Sequence, residues 1–147
     1  MTPIQFITAI HPGAQKCEVE KGIPAAFTIA QGALESAWGE SGLTKKACNI
    51  FGIKASGAWK GPTITMMTRE HIKGEWISIP STWRSYGSWA DCLLDHADFF
   101  HANPRYAKAL QFPHDGIRFA IEAQAAGYAT DPRYSERIIN IIHNHNL

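Results

Sequence analysis

The sequence has 147 residues, room for one domain that buries about 70% of its unfolded surface. Hydrophobic residues at 45% and charged residues at 18% exclude a disordered chain. Lys and Arg total 14 against 13 Asp and Glu, a net charge of +1, so the basic excess of a nucleic-acid binder is missing. Cys17, Cys48 and Cys92 are far apart, odd in number and without a CxxC pair. They read as small thiols packed inside, not as a disulfide framework or zinc site. No apolar run approaches the roughly 18 residues that span a bilayer, so no membrane insertion is expected. The N-terminus, Met1 to Phe6, lacks the basic region and cleavage pattern of a signal peptide. Synthesis in the cytoplasm, with delivery elsewhere by separate machinery, is the expectation.

No repeat, low-complexity segment or linker divides the chain, which predicts a single unit over 1–147. Thr2-Pro3 reads as an N-cap followed by proline in the first helical turn. Pro12-Gly13 is expected to interrupt that helix, with a second short one running to a C-cap at Gly22. Pro24 opens a helix whose Phe27, Ala30, Leu34, Ala37 and Trp38 form one apolar stripe. From Thr63 to Ile79 apolar and polar residues alternate around Lys73-Gly74, which predicts a β-hairpin. Ser88 and Asp91 resemble a capping box and open a helix carrying Trp89, Leu93, Ala97 and Phe100. Asn103-Pro104 and Asp115-Gly116 mark further helix starts. Gly127 ends one helix and Asp131-Pro132 begins the last, with Tyr134, Ile138, Ile141 and Ile142 inward. The sum is α+β and mostly helical, six or seven helices with one small hairpin.

Glu35 stands in a nearly uncharged helix, beside the apolar stripe and near its C-terminal end. Burial and the negative end of the helix dipole both disfavour its carboxylate and raise its pKa. A general acid working near neutral pH needs that shift, although a solvated or structural glutamate fits the same position. Glycosidic cleavage commonly uses a second carboxylate. Asp91, Asp115 and Asp131 sit at helix starts where capping accounts for them, whereas Glu70 and Glu75 flank the hairpin turn. Alternation puts Glu70 on one strand face with Ile64, Met66 and Thr68. Among the aromatic residues, Trp38 and Trp89 fit core stripes. Trp59 and Trp76, at the hairpin, could stack on sugar rings, and Tyr128 follows Gly127 on a loop. The seven histidines show no HExxH or comparable ligand spacing, so no metal and no cofactor is expected.

Four blocks in order resemble the family 73 glycoside hydrolases, bacterial and phage peptidoglycan β-N-acetylglucosaminidases with a lysozyme-like fold. They are AQGALESAWGESGLTKKACNIFGIKA at 30–55, Thr68-Arg69-Glu70-His71, Trp83-Arg84-Ser85-Tyr86, and GYATDPRYSERI at 127–138. The resemblance implies Glu35 as catalytic acid, Glu70 as second carboxylate and Tyr128 lining the site. It implies substrate contacts from Asn49, Phe51 and Gly52, with Trp59 and Trp76 as glycan-stacking candidates. Cys48, His71 and Trp83 depart from the family's usual polar residue, Tyr and Phe, and none of them removes a proposed catalytic group. The implied partner is the peptidoglycan glycan strand, cut by a monomer after N-acetylglucosamine. The implied setting is a phage endolysin or a secreted effector. A muramidase or lytic transglycosylase, or a non-catalytic glycan-binding module, remain alternatives.

Overall fold

Thr2 opens the first helix of the computed structural model, which describes residues 1–147. Its hydroxyl accepts the Gln5 N–H at 3.1 Å while Gln5 Oε1 accepts the Thr2 N–H at 2.9 Å, a reciprocal cap. Helix α1 then runs unbroken from Pro3 to Lys21 and ends at Gly22, whose φ of 70° is left-handed. Pro12-Gly13 therefore does not interrupt it. Pro12 removes one backbone donor, but Phe6, Ile10, Ala14 and Cys17 hold both halves of the helix in the core. Gly13 is there for space, since a Cβ would lie 2.5 Å from Leu93 Cδ1.

Helix α2, Ala25–Ser36, is preceded by Pro24 and is buried without a break from Phe27 to Ala33. A helix covered all round belongs in the centre of a domain, and α2 packs on α1 and on the last two helices, α5 (Gly116–Ala125) and α6 (Tyr134–Asn144). It stops sooner than the periodicity predicts. Ala37 and Trp38 adopt φ of 51° and 59°, so Trp38 leaves the stripe and meets Phe6 edge-on at 5.8 Å. A short helix absent from the sequence reading, α3 (Gly42–Ala47), follows, with the Ser41 hydroxyl accepting the Thr44 N–H.

Strands β1 (Thr63–Ile72) and β2 (Glu75–Arg84) form a two-stranded antiparallel hairpin that extends beyond Ile79. Lys73 and Gly74 both have positive φ, 51° and 82°, as a two-residue turn matched to strand twist requires. Thr68, Glu70, Ile79 and Ser81 share the half-buried face with Met66, which closes on Gly42 at the start of α3. The base is tied down by Asn49, whose Nδ2 donates to the carbonyls of Ile53 and Arg84, both at 2.9 Å.

Helix α4 (Trp89–Ala102) is capped by Ser88. After Asn103-Pro104 come two single 3₁₀ turns, Pro104–Tyr106 and Ala109–Gln111, in place of the expected α-helix. Asp115 caps α5 (Gly116–Ala125), and Gly127 at φ 87° turns the chain away. Helix α6 (Tyr134–Asn144) begins two residues after Pro132, burying Tyr134, Ile138 and Ile142 while Ile141 is half-buried. One cluster of 24 buried residues, centred on α2, is shared by every helix except the short α3. Cys17 and Cys92 lie inside it and Cys48 is half-buried at the end of α3; all three are free thiols. No helix is long and apolar enough to cross a membrane.

Candidate active site

Glu35 occupies the last turn of α2, where that helix leaves the core, and opens into a pocket of about 380 Å³. Phe51 and Gly52 line the pocket from the loop after α3, and Tyr128 and Ala129 from the loop after α5. Gly52, at φ 67°, places bare backbone against this space. One side of the Glu35 carboxylate faces the pocket and the other meets Tyr134. The Tyr134 hydroxyl donates to Glu35 Oε1 at 2.6 Å and accepts from Gln31 Nε2 at 2.9 Å. Desolvation by the surrounding walls raises the Glu35 pKa from its ordinary value, and the Tyr134 bond opposes it. Glu35 is thus biased toward its protonated form, as a proton donor to an ether oxygen must be.

Burial keeps the Tyr134 hydroxyl protonated, reinforced by the nearby Tyr128 and Glu35. Tyr128 is raised in the same direction, by burial first and then by Glu35. Its ring lies parallel to those of Tyr134 and Phe100 at 5.7 and 5.6 Å, so it forms a fixed wall of the pocket. Lys54, Arg84 and Arg105 bring positive charge to the rim. Arg84 is paired with Asp95 at 2.8 Å, whereas Lys54 and Arg105 lie over the rings of Trp83 and Tyr106 without an acidic partner.

The other candidates are placed differently. Asn49 is buried beneath the pocket floor and spends its polar atoms on the loop, Oδ1 accepting the Ile53 N–H at 3.1 Å. Trp59 lines a second hollow of about 390 Å³ that shares Ser56, Arg84 and Phe99 with the Glu35 pocket, so the two form one groove. Its ring stacks under the Arg84 guanidinium at 4.8 Å. Glu70 does not line the Glu35 pocket; it lies on the half-buried face of β1 opposite Ile77. Trp76 pairs with His71 and therefore occupies the other, outer face, 64% exposed, with Arg69 stacked on it at 5.4 Å. Glu70 and Trp76 cannot both face the groove.

Sequence reading assigned Tyr134 to the core by its period and missed its hydroxyl. The signal was its place in the same block as Tyr128, six positions on. Of the cations, Lys54 and Arg84 stood inside the quoted blocks without being given a role, and Arg105 carried no local signal.

A pocket with one raised carboxyl group, aromatic walls and a cationic rim suits acid-assisted cleavage of an anionic glycan. Residues 11–147 match the glucosaminidase family, described as mannosyl-glycoprotein endo-beta-N-acetylglucosaminidase. The chain is 36% identical over 141 residues to peptidoglycan hydrolase FlgJ of Escherichia coli K12, covering 93% of itself and 45% of that protein. It is 35% identical over 146 residues to exo-glucosaminidase LytG of Bacillus subtilis, covering 97% of itself and 51% of the relative. The chain thus spans about half the length of these curated relatives. The truncated glycoside hydrolase domain of Salmonella typhimurium FlgJ superposes with a TM-score of 0.83 at 32% identity, over 98% of this chain and 97% of that one. Family match, sequence identity and fold agree, and the chain belongs to the glucosaminidase family of glycoside hydrolases, family 73.

Proposed function

We propose that the protein hydrolyses the β-1,4 bond after N-acetylglucosamine in bacterial peptidoglycan, with Glu35 as general acid. The observation that carries this reading is the raised Glu35 carboxyl group, held by Tyr134 at the mouth of an open groove. Glu35 delivers its proton to the glycosidic oxygen as the bond breaks, and the sugar ring takes on oxocarbenium character. The flat wall of Tyr128 and the floor at Phe51 and Gly52 orient the ring and exclude water from its lower side. Lys54 and Arg105 suit the carboxylates that decorate the wall polymer. The names of the relatives, peptidoglycan hydrolase and glucosaminidase, favour this substrate.

Glu70 is the proposed second carboxylate, activating water from the hairpin side. Since it lies outside the Glu35 pocket, that role requires the hairpin to close over bound substrate. Glu70→Gln then lowers kcat by roughly 100-fold. An unchanged kcat instead assigns the second step to the sugar's own 2-acetamido group or to a transglycosylase route.

The test is mass spectrometry of purified peptidoglycan after digestion and borohydride reduction. Reduced glucosamine ends are expected with the wild-type protein. They should be lost in a folded Glu35→Gln variant, whose rate falls by at least about 100-fold. Reduced muramic or anhydro-muramic ends would move the cut to the other glycosidic bond, and normal activity in the variant would remove Glu35 from the mechanism.

A further inference from the structure

Behind Tyr134 the hydrogen bonds continue inward. Gln31, fully buried in α2, gives its Nε2 to Tyr134 and its Oε1 to His96 Nε2, at 2.9 and 2.6 Å. With Gln31 so oriented its carbonyl oxygen accepts, which assigns the proton of that second bond to His96 Nε2. The chain therefore runs one way: imidazole N–H to amide oxygen, amide N–H to phenol oxygen, phenol O–H to Glu35. His96 is 1% exposed on α4, and its Nδ1 is buried without any partner. The ring is gripped by stacking instead, 3.7 Å from Phe51 and 6.3 Å from Phe27, with Phe100 edge-on at 5.1 Å. None of these neighbours carries a charge. A histidine buried with one nitrogen unsatisfied is costly, and packing alone does not need an imidazole there.

We propose that His96 is a positioning residue for Glu35: by fixing the amide orientation of Gln31, it dictates that the Tyr134 hydroxyl proton points to the carboxylate. A glutamine amide can turn over and offer oxygen where it offered nitrogen. If Gln31 turned, Tyr134 would donate to Gln31 and Glu35 would lose its only hydrogen bond from protein side chains. His96 opposes that turn when its neutral ring carries the proton on Nε2, because a turned amide would then set two N–H groups against each other. Burial supports this state by holding the His96 pKa down to about 3. The titratable groups facing Glu35 are Tyr134 from α6 and Tyr128 from the loop after α5, with Lys54, Arg84 and Arg105 on the pocket rim. On the His96 helix the adjacent Asp95 is held by Arg84 and Tyr86, Asp98 pairs with Lys21, and Cys92, one turn away, is neutral with its pKa pushed up to about 12.

This inference rests on Glu35 acting as general acid, so its readout is the pH dependence of wall cleavage. The alkaline limb of kcat/KM follows the Glu35 proton, which the Tyr134 bond holds less tightly by stabilising the carboxylate. In His96→Phe that bond weakens, and the limb is expected to move upward by about one pH unit, the size of one charge-assisted hydrogen bond. In His96→Gln an amide N–H reaches the same oxygen, and the limb should return toward the wild-type position. A limb that stays put in folded His96→Phe, or moves equally in both variants, overturns the proposal. Should His96→Phe fail to fold, the imidazole ¹⁵N shifts of the wild-type protein decide. A neutral ring protonated on Nε2 from about pH 5 to 8 supports the relay, and an Nδ1–H or charged ring refutes it. A wild-type protein that cuts no wall refutes the proposed activity, while the tautomer measurement still judges the relay.

Discussion

Glu35 sits where its surroundings disfavour the charged form. Its folded pKa is raised above the ordinary 4.5, by desolvation first, so the native state binds that proton more tightly than the unfolded chain does. The associated stability is complete below about pH 4.5 and is lost as pH rises through the raised value. Glu35→Gln cannot ionise and keeps an oxygen for Tyr134. The variant should therefore gain stability relative to wild type as pH rises, with little difference at pH 4. Urea unfolding midpoints at pH 4 and pH 8 measure this; a constant gap would mean that Glu35 is not strained by ionisation. At this scale the sequence was partly legible. An acid at the end of an apolar helix announces itself, whereas Asn49, in the same block, uses its polar atoms to clamp the loop beneath the site.

At the scale of elements, α2 decides where the chemistry sits. Gly32, one turn before Glu35, lets α1 and the loop after α3 close on the helix: a Cβ there would lie 3.2 Å from Ile10 and Ile50 and 3.4 Å from Phe51. Gly32→Val should destabilise the fold by about 1–3 kcal/mol through overpacking, despite replacing a poor helix former. It should also displace Phe51 from the pocket floor, raising KM; unchanged unfolding midpoints would contradict the close packing. The hairpin shows what alternation does and does not say. Strand period correctly groups Glu70 with Ile64, Met66 and Thr68 on the half-buried face. Register across the turn, not strand period, separates Trp76 from them. Pro12-Gly13 and the end of α2 show a converse limit, since local breakers yield where a buried stripe spans them and left-handed residues end a helix without glycine.

The whole molecule unfolds around the same buried relay. His96 binds its proton at about 3 when folded, against 6.5 when exposed, so the unfolded chain takes up the proton first on acidification. Its contribution is present above about pH 6.5 and drains away as pH falls toward 3. Wild type should therefore lose stability faster than His96→Gln over that window, by up to about 1.4 kcal/mol per pH unit. Denaturant titrations at pH 7, 5.5 and 4.5 check it, and parallel curves would deny the buried neutral ring. The sequence by itself determined the helix starts at Thr2, Pro24, Ser88 and Asp115, the single hairpin with its Lys73-Gly74 turn, and Glu35 at the exit of an apolar helix. Those features depend on signals a few residues apart: caps, periods and turn conformations. Only the tertiary structure decided that Gln31 meets Tyr134 across 103 positions and His96 across 65, and which hairpin face looks inward. Such contacts follow from how helices pack around α2, and packing distances are not written in local spacing.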